Sequence, residues 1–386
     1  MSDVLWACWD GGGNLPPSIG IAGELEARGH TVHFRGRPEM VDRVRAAGLE
    51  AEALGHARTD LDRYDFHPLA TVFGFTSSPA VGEELVELVA ATDPDLVVID
   101  AMFSTALQVA PRFDRPTVVM LHTFCDQILD GWRANFAMQS ESRQKAGFDG
   151  LDDLDVLWGE RDRLHVNTLA AFDGPPAQAW TNVVHGAPVL ASEPRAVPVE
   201  LPWADDDSTP IVLLSFSTVP EQRNVDSLQR ALDALGPLPV HVVATTGGVV
   251  DPAELAAPAN AHLLPFADHD RLMDRATLIV GHGGHGTTMR ALRHGLPIVG
   301  MPAKGADQVP ITQLLERWGV GKALPGDASV DDLRAAVEAV LADPTYAAEA
   351  EERAAALAGP DGAVLAADSV EAVLSGDHRA TAPTPA

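Results

Sequence analysis

Residues 279–308 read IVGHGGHGTTMRALRHGLPIVGMPAKGADQ, and this stretch decides the fold. An apolar run, Thr277–Val280, leads into a glycine-rich turn, Gly281–Gly286. A helical pattern follows from about Thr287 to His294, stopped by Gly295 and Pro297. A second apolar run, Ile298–Met301, leads to Asp307 and Gln308. The order is strand, turn, helix, strand, with the polar residues gathered at one end. In a parallel α/β sheet those residues lie beyond the carboxyl ends of the strands, where such sheets bind ligands.

The residue types specify the chemistry. Glycines let backbone N–H groups approach an anion closely. The helix that follows offers its N-terminal donors and partial positive charge. His282 can donate to an oxyanion and Thr287 adds a hydroxyl, a set suited to a diphosphate. Asp307 and Gln308 supply a carboxylate and an amide, which hold sugar hydroxyls. Together they point to a nucleotide-sugar.

The 386 residues suit two domains, with 46% hydrophobic and 21% charged residues. The formal charge of −28 argues against nucleic acid as a partner, because phosphate backbones need basic surface. No apolar run reaches the roughly 20 residues of a membrane span. The opening MSDVLWACWDGGG enters a strand and lacks a secretory layout, so a cytoplasmic location is expected. Cys8 and Cys125 form no disulfide framework or zinc spacing and read as buried thiols.

Working outward, the first half alternates strand and helix. Val4–Trp9, Thr31–Arg35, Asp95–Ile99 and Thr117–Leu121 read as strands, the last two leading to Asp100 and His122. Helices are expected at about Ser18–Arg28, Glu39–Ala47, Gly82–Ala91 and Phe103–Phe113, with an irregular stretch over Gly55–Thr76. Phe124–Leu169 reads as mostly helical, its aromatics Trp132, Phe136, Phe148 and Trp158 packing a local core. The proline- and charge-rich run around 196–210 reads as a linker. A second alternation follows, with strands at Ile211–Ser215, Val240–Thr245 and Leu278–Val280. Its helices are expected at Asp226–Leu235, Asp268–Asp274, Ile311–Trp318, Val330–Leu341, Thr345–Leu357 and Ala363–Leu374. The expected plan is 1–195 as one Rossmann-like domain and 211–374 as another, facing across a cleft, with 375–386 a disordered tail. No short-period repeat appears.

Other glycine-rich readings fail. Gly11-Gly12-Gly13 follows the first strand, but the dinucleotide fingerprint needs a glycine where Pro16 stands. After the second strand stands Arg35-Gly36-Arg37 in place of an acidic residue. No P-loop, zinc motif or nucleophile elbow occurs. The triplets Asp93/Asp95 and Asp268/Asp270 are expected by chance in so acidic a chain, and no metal site is read.

The pattern H-G-G-x-G-T, A-x-x-x-G-x-P, P-x-x-x-x-D-Q resembles the donor signature of inverting GT-B glycosyltransferases, especially bacterial enzymes that decorate antibiotics and other natural products. The resemblance extends to GGGNLPPSIGIAGELEARGHTVHF, PDLVVIDAMF, WTNVVHGAP, VLLSFSTV and AHLLPFADHDRLM. It implies an α/β GT-B fold, a hydrophobic aglycone on the N-terminal half and a dTDP- or UDP-sugar on the C-terminal half. It also implies a last helix crossing back onto the N-terminal domain, and neither metal nor cofactor. Carried over, His282, Gly284, Gly286 and Thr287 face the diphosphate, with Ser217 and Thr218 opposite. Phe266 and Ala267 face the base; Asp307 and Gln308 hold the sugar. His285 stands where a small residue is usual, as a second imidazole near the phosphate or as a solvent-facing helix start. A homodimer is compatible with the sequence, which leaves oligomeric state open.

One departure matters most. The family's first loop carries G-H-x-x-P, whose histidine is the general base; by alignment to Pro17 that position is Asn14. A neutral amide cannot take the acceptor's proton. Losing a general base forfeits on the order of 10²–10⁴ in rate. Asp100, the usual partner of that histidine, is the favoured replacement. Asp10 comes second, His122 is as much structural as functional, and Asn14 orients the acceptor. The alternatives to a transferase are a non-catalytic binding relative and a nucleotide-sugar epimerase.

Overall fold

The computed structural model describes residues 1–67, 69–190, 200–204, 207–217, 223, 225–303, 307–359 and 361–376. Two compact units divide the chain: Met1–Ala191 with Pro360–Ala386, and Ser192–Gly359.

Among the described residues the first unit holds seven parallel strands: β1 (Asp3–Cys8), β2 (Thr31–Gly36), β3 (Glu50–Ala53), β4 (Leu96–Asp100), β5 (Thr117–Leu121), β6 (Arg163–Val166) and β7 (Val183–His185). Their order is β3-β2-β1-β4-β5-β6-β7. β1, β4 and β5 are almost wholly buried apolar runs, as expected of a parallel sheet covered on both faces. The order reverses between β1 and β4, which pair in register from Val4 with Leu96 to Ala7 with Ile99. The loops beyond these two strands therefore open at a topological switch point.

The first helix spans Leu15–Ala27 and takes Pro16 and Pro17 into its first turn, where a missing N–H costs nothing. The sequence places its start at Ser18, three residues late. The stretch 124–169 carries one long helix, Leu129–Lys145, and a short one, Leu154–Leu157, and then β6, so the mostly helical expectation is corrected at its end. Trp132, Phe136 and Trp158 are buried against one another. The Gly55–Thr76 stretch contains a helical turn, Leu61–Tyr64, and a helix, Ala70–Thr76. The helix Gly362–Leu374 belongs to this unit: Ala366, Ala367, Val370 and Val373 pack in one core with Trp6, Ile21 and Phe34.

Among the described residues the second unit holds six parallel strands: β8 (Ile211–Ser215), β9 (His241–Thr245), β10 (Ala261–Leu264), β11 (Leu278–Gly281), β12 (Ile298–Gly300) and β13 (Gly321–Ala323). Their order is β10-β9-β8-β11-β12-β13, reversing between β8 and β11. The helix after β11 runs His285–Arg293, two residues earlier than its expected start. The expected tail from 377 onward, and residues 196–199 and 205–206 of the expected linker, lie outside the described residues.

Candidate functional site

Each switch point carries a cluster of the residues singled out in the sequence. In the first unit Asp100 ends β4 and is 3% exposed. Its Oδ1 accepts from Trp9 Nε1 and from the Met102 N–H, both at 2.9 Å. Its Oδ2 accepts from Asn14 Nδ2 at 2.8 Å. Burial pushes Asp100 up to about 6; the three N–H donors act the other way and favour the charged form. Asn14, which the sequence reading aligns with the histidine of the glycosyltransferases it resembles, presents an amide to Asp100. The same amide donates to the Trp9 carbonyl at 2.8 Å, and its oxygen accepts the Gly11 N–H at 2.9 Å. Asn14 is thereby locked across the loop.

The other two candidate bases are occupied. Asp10 accepts the Gly12 N–H through Oδ1 at 2.9 Å and pairs through Oδ2 with Arg43 Nη1 at 2.7 Å. His122 lies beyond β5, with Nε2 3.0 Å from Ser18 Oγ and Nδ1 2.9 Å from Asn167 Nδ2. Ser18 Oγ donates to the Asn14 carbonyl at 2.8 Å, so it accepts from His122 Nε2–H. The Asn167 amide then donates to Nδ1, a tautomer assigned from this network. Both ring nitrogens are engaged, and His122 braces the first loop from 4.0 Å behind Asp100.

The second unit gathers the donor-signature residues beyond β8, β10, β11 and β12. His282 follows β11, and its Nδ1–H points to the Ser215 carbonyl at the end of β8, 3.4 Å away. The imidazole spans the two strands of the switch point, and burial pushes it down to about 4. Gly284 is the N-cap of the helix His285–Arg293 and supplies no side-chain cap. A Cβ on Gly284 would stand 2.6 Å from His282 Nε2, so that nitrogen lies directly over the helix start. Gly286 is exposed with open space around it, and Thr287 is half-buried beside it. His285 is buried, which corrects the solvent-facing alternative: as the first helical residue it points into the unit.

Ser217 lies buried just past β8. Thr218, its expected companion, lies outside the described residues. Phe266 and the buried Ala267 follow β10, with the Phe266 ring packed over Gly248. Asp307 is the N-cap of the helix Gln308–Arg317. Gln308 is buried, its Oε1 accepting the Ala303 N–H at 2.9 Å.

Trp9 is the residue the sequence reading missed. Its only signal is position, directly past the first buried strand. The acidic triplets are scaffold: Asp95 accepts the Asp3 N–H and Asp268 caps the helix His269–Met273. Asp270 pairs with Arg290 and Arg293. Among the described residues, Asp126, Asp173 and His185 bring three ligand atoms within 4.8 Å of one another. The carboxylate of Asp173 already accepts from the Cys125 and Gln127 N–H groups and from His185 Nε2 at 2.8 Å. That group reads as a hydrogen-bonded clasp on the loop after β5.

Residues 229–372 match the family described as erythromycin biosynthesis protein CIII-like, C-terminal domain. The uncharacterized UDP-glucosyltransferase YojK of Bacillus subtilis (strain 168) is 24% identical, over 99% of this chain and 100% of the relative. Demethyllactenocin mycarosyltransferase of Streptomyces fradiae is 24% identical, over 97% and 87%. Among solved structures, the calicheamicin glycosyltransferase CalG4 superposes with a TM-score of 0.75 at 24% identity, over 97% of this chain and 98% of that one. The fold is GT-B, and the chain is similar to glycosyltransferases of antibiotic and natural-product biosynthesis.

Proposed function

We propose that this protein is an inverting, metal-independent glycosyltransferase that moves a sugar from a dTDP- or UDP-sugar to a hydrophobic natural-product hydroxyl. The observation that carries the reading is that each unit has a switch point furnished with polar groups. One holds a buried carboxylate with donors already in place; the other holds an uncapped helix start under an imidazole.

The donor diphosphate sits at the start of the helix His285–Arg293, against His282 and Thr287, with the sugar toward Asp307 and Gln308. The acceptor oxygen attacks the anomeric carbon from the face opposite the diphosphate. The new C–O bond forms as the bond to the diphosphate breaks, and the acceptor's proton passes to Asp100 Oδ2. Among the described residues that oxygen accepts from Asn14 alone within hydrogen-bond distance, whereas Oδ1 already accepts twice. A carboxyl near pH 6 is well placed as a base at neutral pH. Charge that develops on the leaving diphosphate is met by the helix dipole and its first-turn N–H groups.

The test is incubation with UDP- and dTDP-hexoses and a panel of phenolic and macrolide aglycones, with and without chelator. Acceptor-dependent nucleotide diphosphate release, an inverted anomeric coupling in the product and indifference to chelator are expected. Donor binding without release on any aglycone would favour the non-catalytic binding relative, for which the amide at Asn14 is the motive.

A further inference from the structure

We propose that Trp9 is a positioning residue for the transfer step: its indole N–H fixes the Asp100 carboxylate so that Oδ2 is the oxygen left to take the acceptor's proton. This rests on Asp100 being the general base.

Trp9 serves both members of the pair. Its Nε1–H donates to Asp100 Oδ1 at 2.9 Å, the oxygen that also accepts the Met102 N–H. Its carbonyl holds Asn14 Nδ2 at 2.8 Å, and that same Nδ2 donates to Oδ2. The carboxylate is gripped from three sides and cannot turn about its terminal torsion, which is soft when unrestrained. A second observation supports the placement. A Cβ on Gly11 would stand 2.7 Å from Trp9 Cη2, so the ring lies on the Gly11 backbone. Glycine at 11 is what lets the indole lie there.

The titratable groups around Asp100 are Cys8 on β1, His122 beyond β5 at 4.0 Å, and Asp10, held by Arg43. Cys8 is raised by burial and then by Asp100 and Asp10. Among the groups acting on Asp100 itself, burial raises it and the Asn14, Met102 and Trp9 donors lower it. Removing the indole donor therefore raises Asp100 further. The base must be ionised to act, so the acid limb of the rate profile moves to higher pH.

The experiment compares wild type, Trp9→Phe, Gly11→Ala and Asp100→Asn. Trp9→Phe should move the acid limb of kcat up by about one pH unit. It should cost roughly fivefold in kcat at pH 6 and leave acceptor KM within about twofold. Gly11→Ala, which keeps the indole but displaces it, should shift the limb the same way. A readout independent of turnover is the Trp9 indole ¹⁵N–¹H resonance. It should titrate near pH 6 in wild type and stay flat in Asp100→Asn, and it decides the matter if Trp9→Phe fails to fold. A pH-flat indole resonance in wild type, or an unshifted acid limb in folded Trp9→Phe, overturns the role of Trp9. Wild-type turnover by Asp100→Asn overturns the reading of Asp100 as base instead.

Discussion

Asp100 is a buried titratable group and His282 a half-buried one, and desolvation moves them in opposite senses. Asp100 is raised to about 6. As a base it must be ionised, so kcat should climb with pH through about 6 in a rate profile. The same shift bears on stability. Folded Asp100 binds its proton more tightly than it does unfolded, so its contribution is full below about pH 4 and is lost as pH rises through 6. A shift of about two units corresponds to roughly 3 kcal/mol at most. In denaturant titrations, wild type should lose stability relative to Asp100→Asn between pH 4 and pH 7.

His282 is lowered to about 4 and is neutral at pH 7, with its Nδ1–H toward Ser215 and a lone pair left on Nε2. A nucleotide-sugar diphosphate has no proton to give near neutrality, so a bound donor raises the imidazole and draws a proton onto it. Donor Kd should tighten as pH falls from 8 to 5, by up to about tenfold per unit. His282→Gln should bind more weakly with a flat pH dependence, as calorimetry with a nucleotide-sugar can check.

At the scale of the element, the turn between β11 and its helix is tightly constrained. Gly283 has φ +75°, and a Cβ there would meet Thr312 Oγ1 at 2.4 Å. Gly283→Ala should cost at least about 1–2 kcal/mol and lower the melting temperature of this unit. Gly284 has ordinary backbone angles, and the nearest atoms to a Cβ there are those of the His282 ring. Gly284→Ala should leave melting nearly unchanged and weaken donor binding. The sequence made this turn legible because its glycines, flanking apolar runs and helix stop fall in one short span. It also made the central strands legible, since β1, β4, β5, β8 and β11 are apolar and buried on both faces.

The elements it hid share a cause. β3, β7, β10 and β13 are the edge strands of the two sheets. They are short and mostly half-buried or exposed, as in the EAEA of β3 and the GKA of β13, so no apolar run marks them. β6 is buried but reads RLHV, with Arg163 and His165 inside. The Trp9 side of the grip on Asp100 was hidden for another reason. Trp9 lies 91 residues from it, and only the switch-point topology brings them together.

At the scale of the molecule, the last helix decides whether the first unit is complete. Ala366, Ala367, Val370 and Val373 are fully buried in the core that holds Trp6 and Ile21. Arg28 pairs with Asp368 and Glu371 at 2.6 Å, and His30 with Glu371 at 3.0 Å, on its flank. These ion pairs are partly exposed and contribute little. The apolar face contributes roughly 5 kcal/mol on area alone. Truncation after Gly359 should therefore unfold the first unit while the second, whose core lies within 192–359, still melts cooperatively and binds nucleotide-sugar. Calorimetric scanning with and without donor would register this as loss of one transition and retention of a donor-shifted one.

The most direct test of the central claim is a single-turnover assay of wild type and Asp100→Asn with saturating donor and an accepted aglycone, with donor affinity measured in parallel. The account predicts glycoside formation by wild type, a loss on the order of 10²–10⁴ in the variant, and equal donor affinity in both. Equal rates in the two proteins would contradict it, because the proton would then leave the acceptor by a route that does not pass through Asp100.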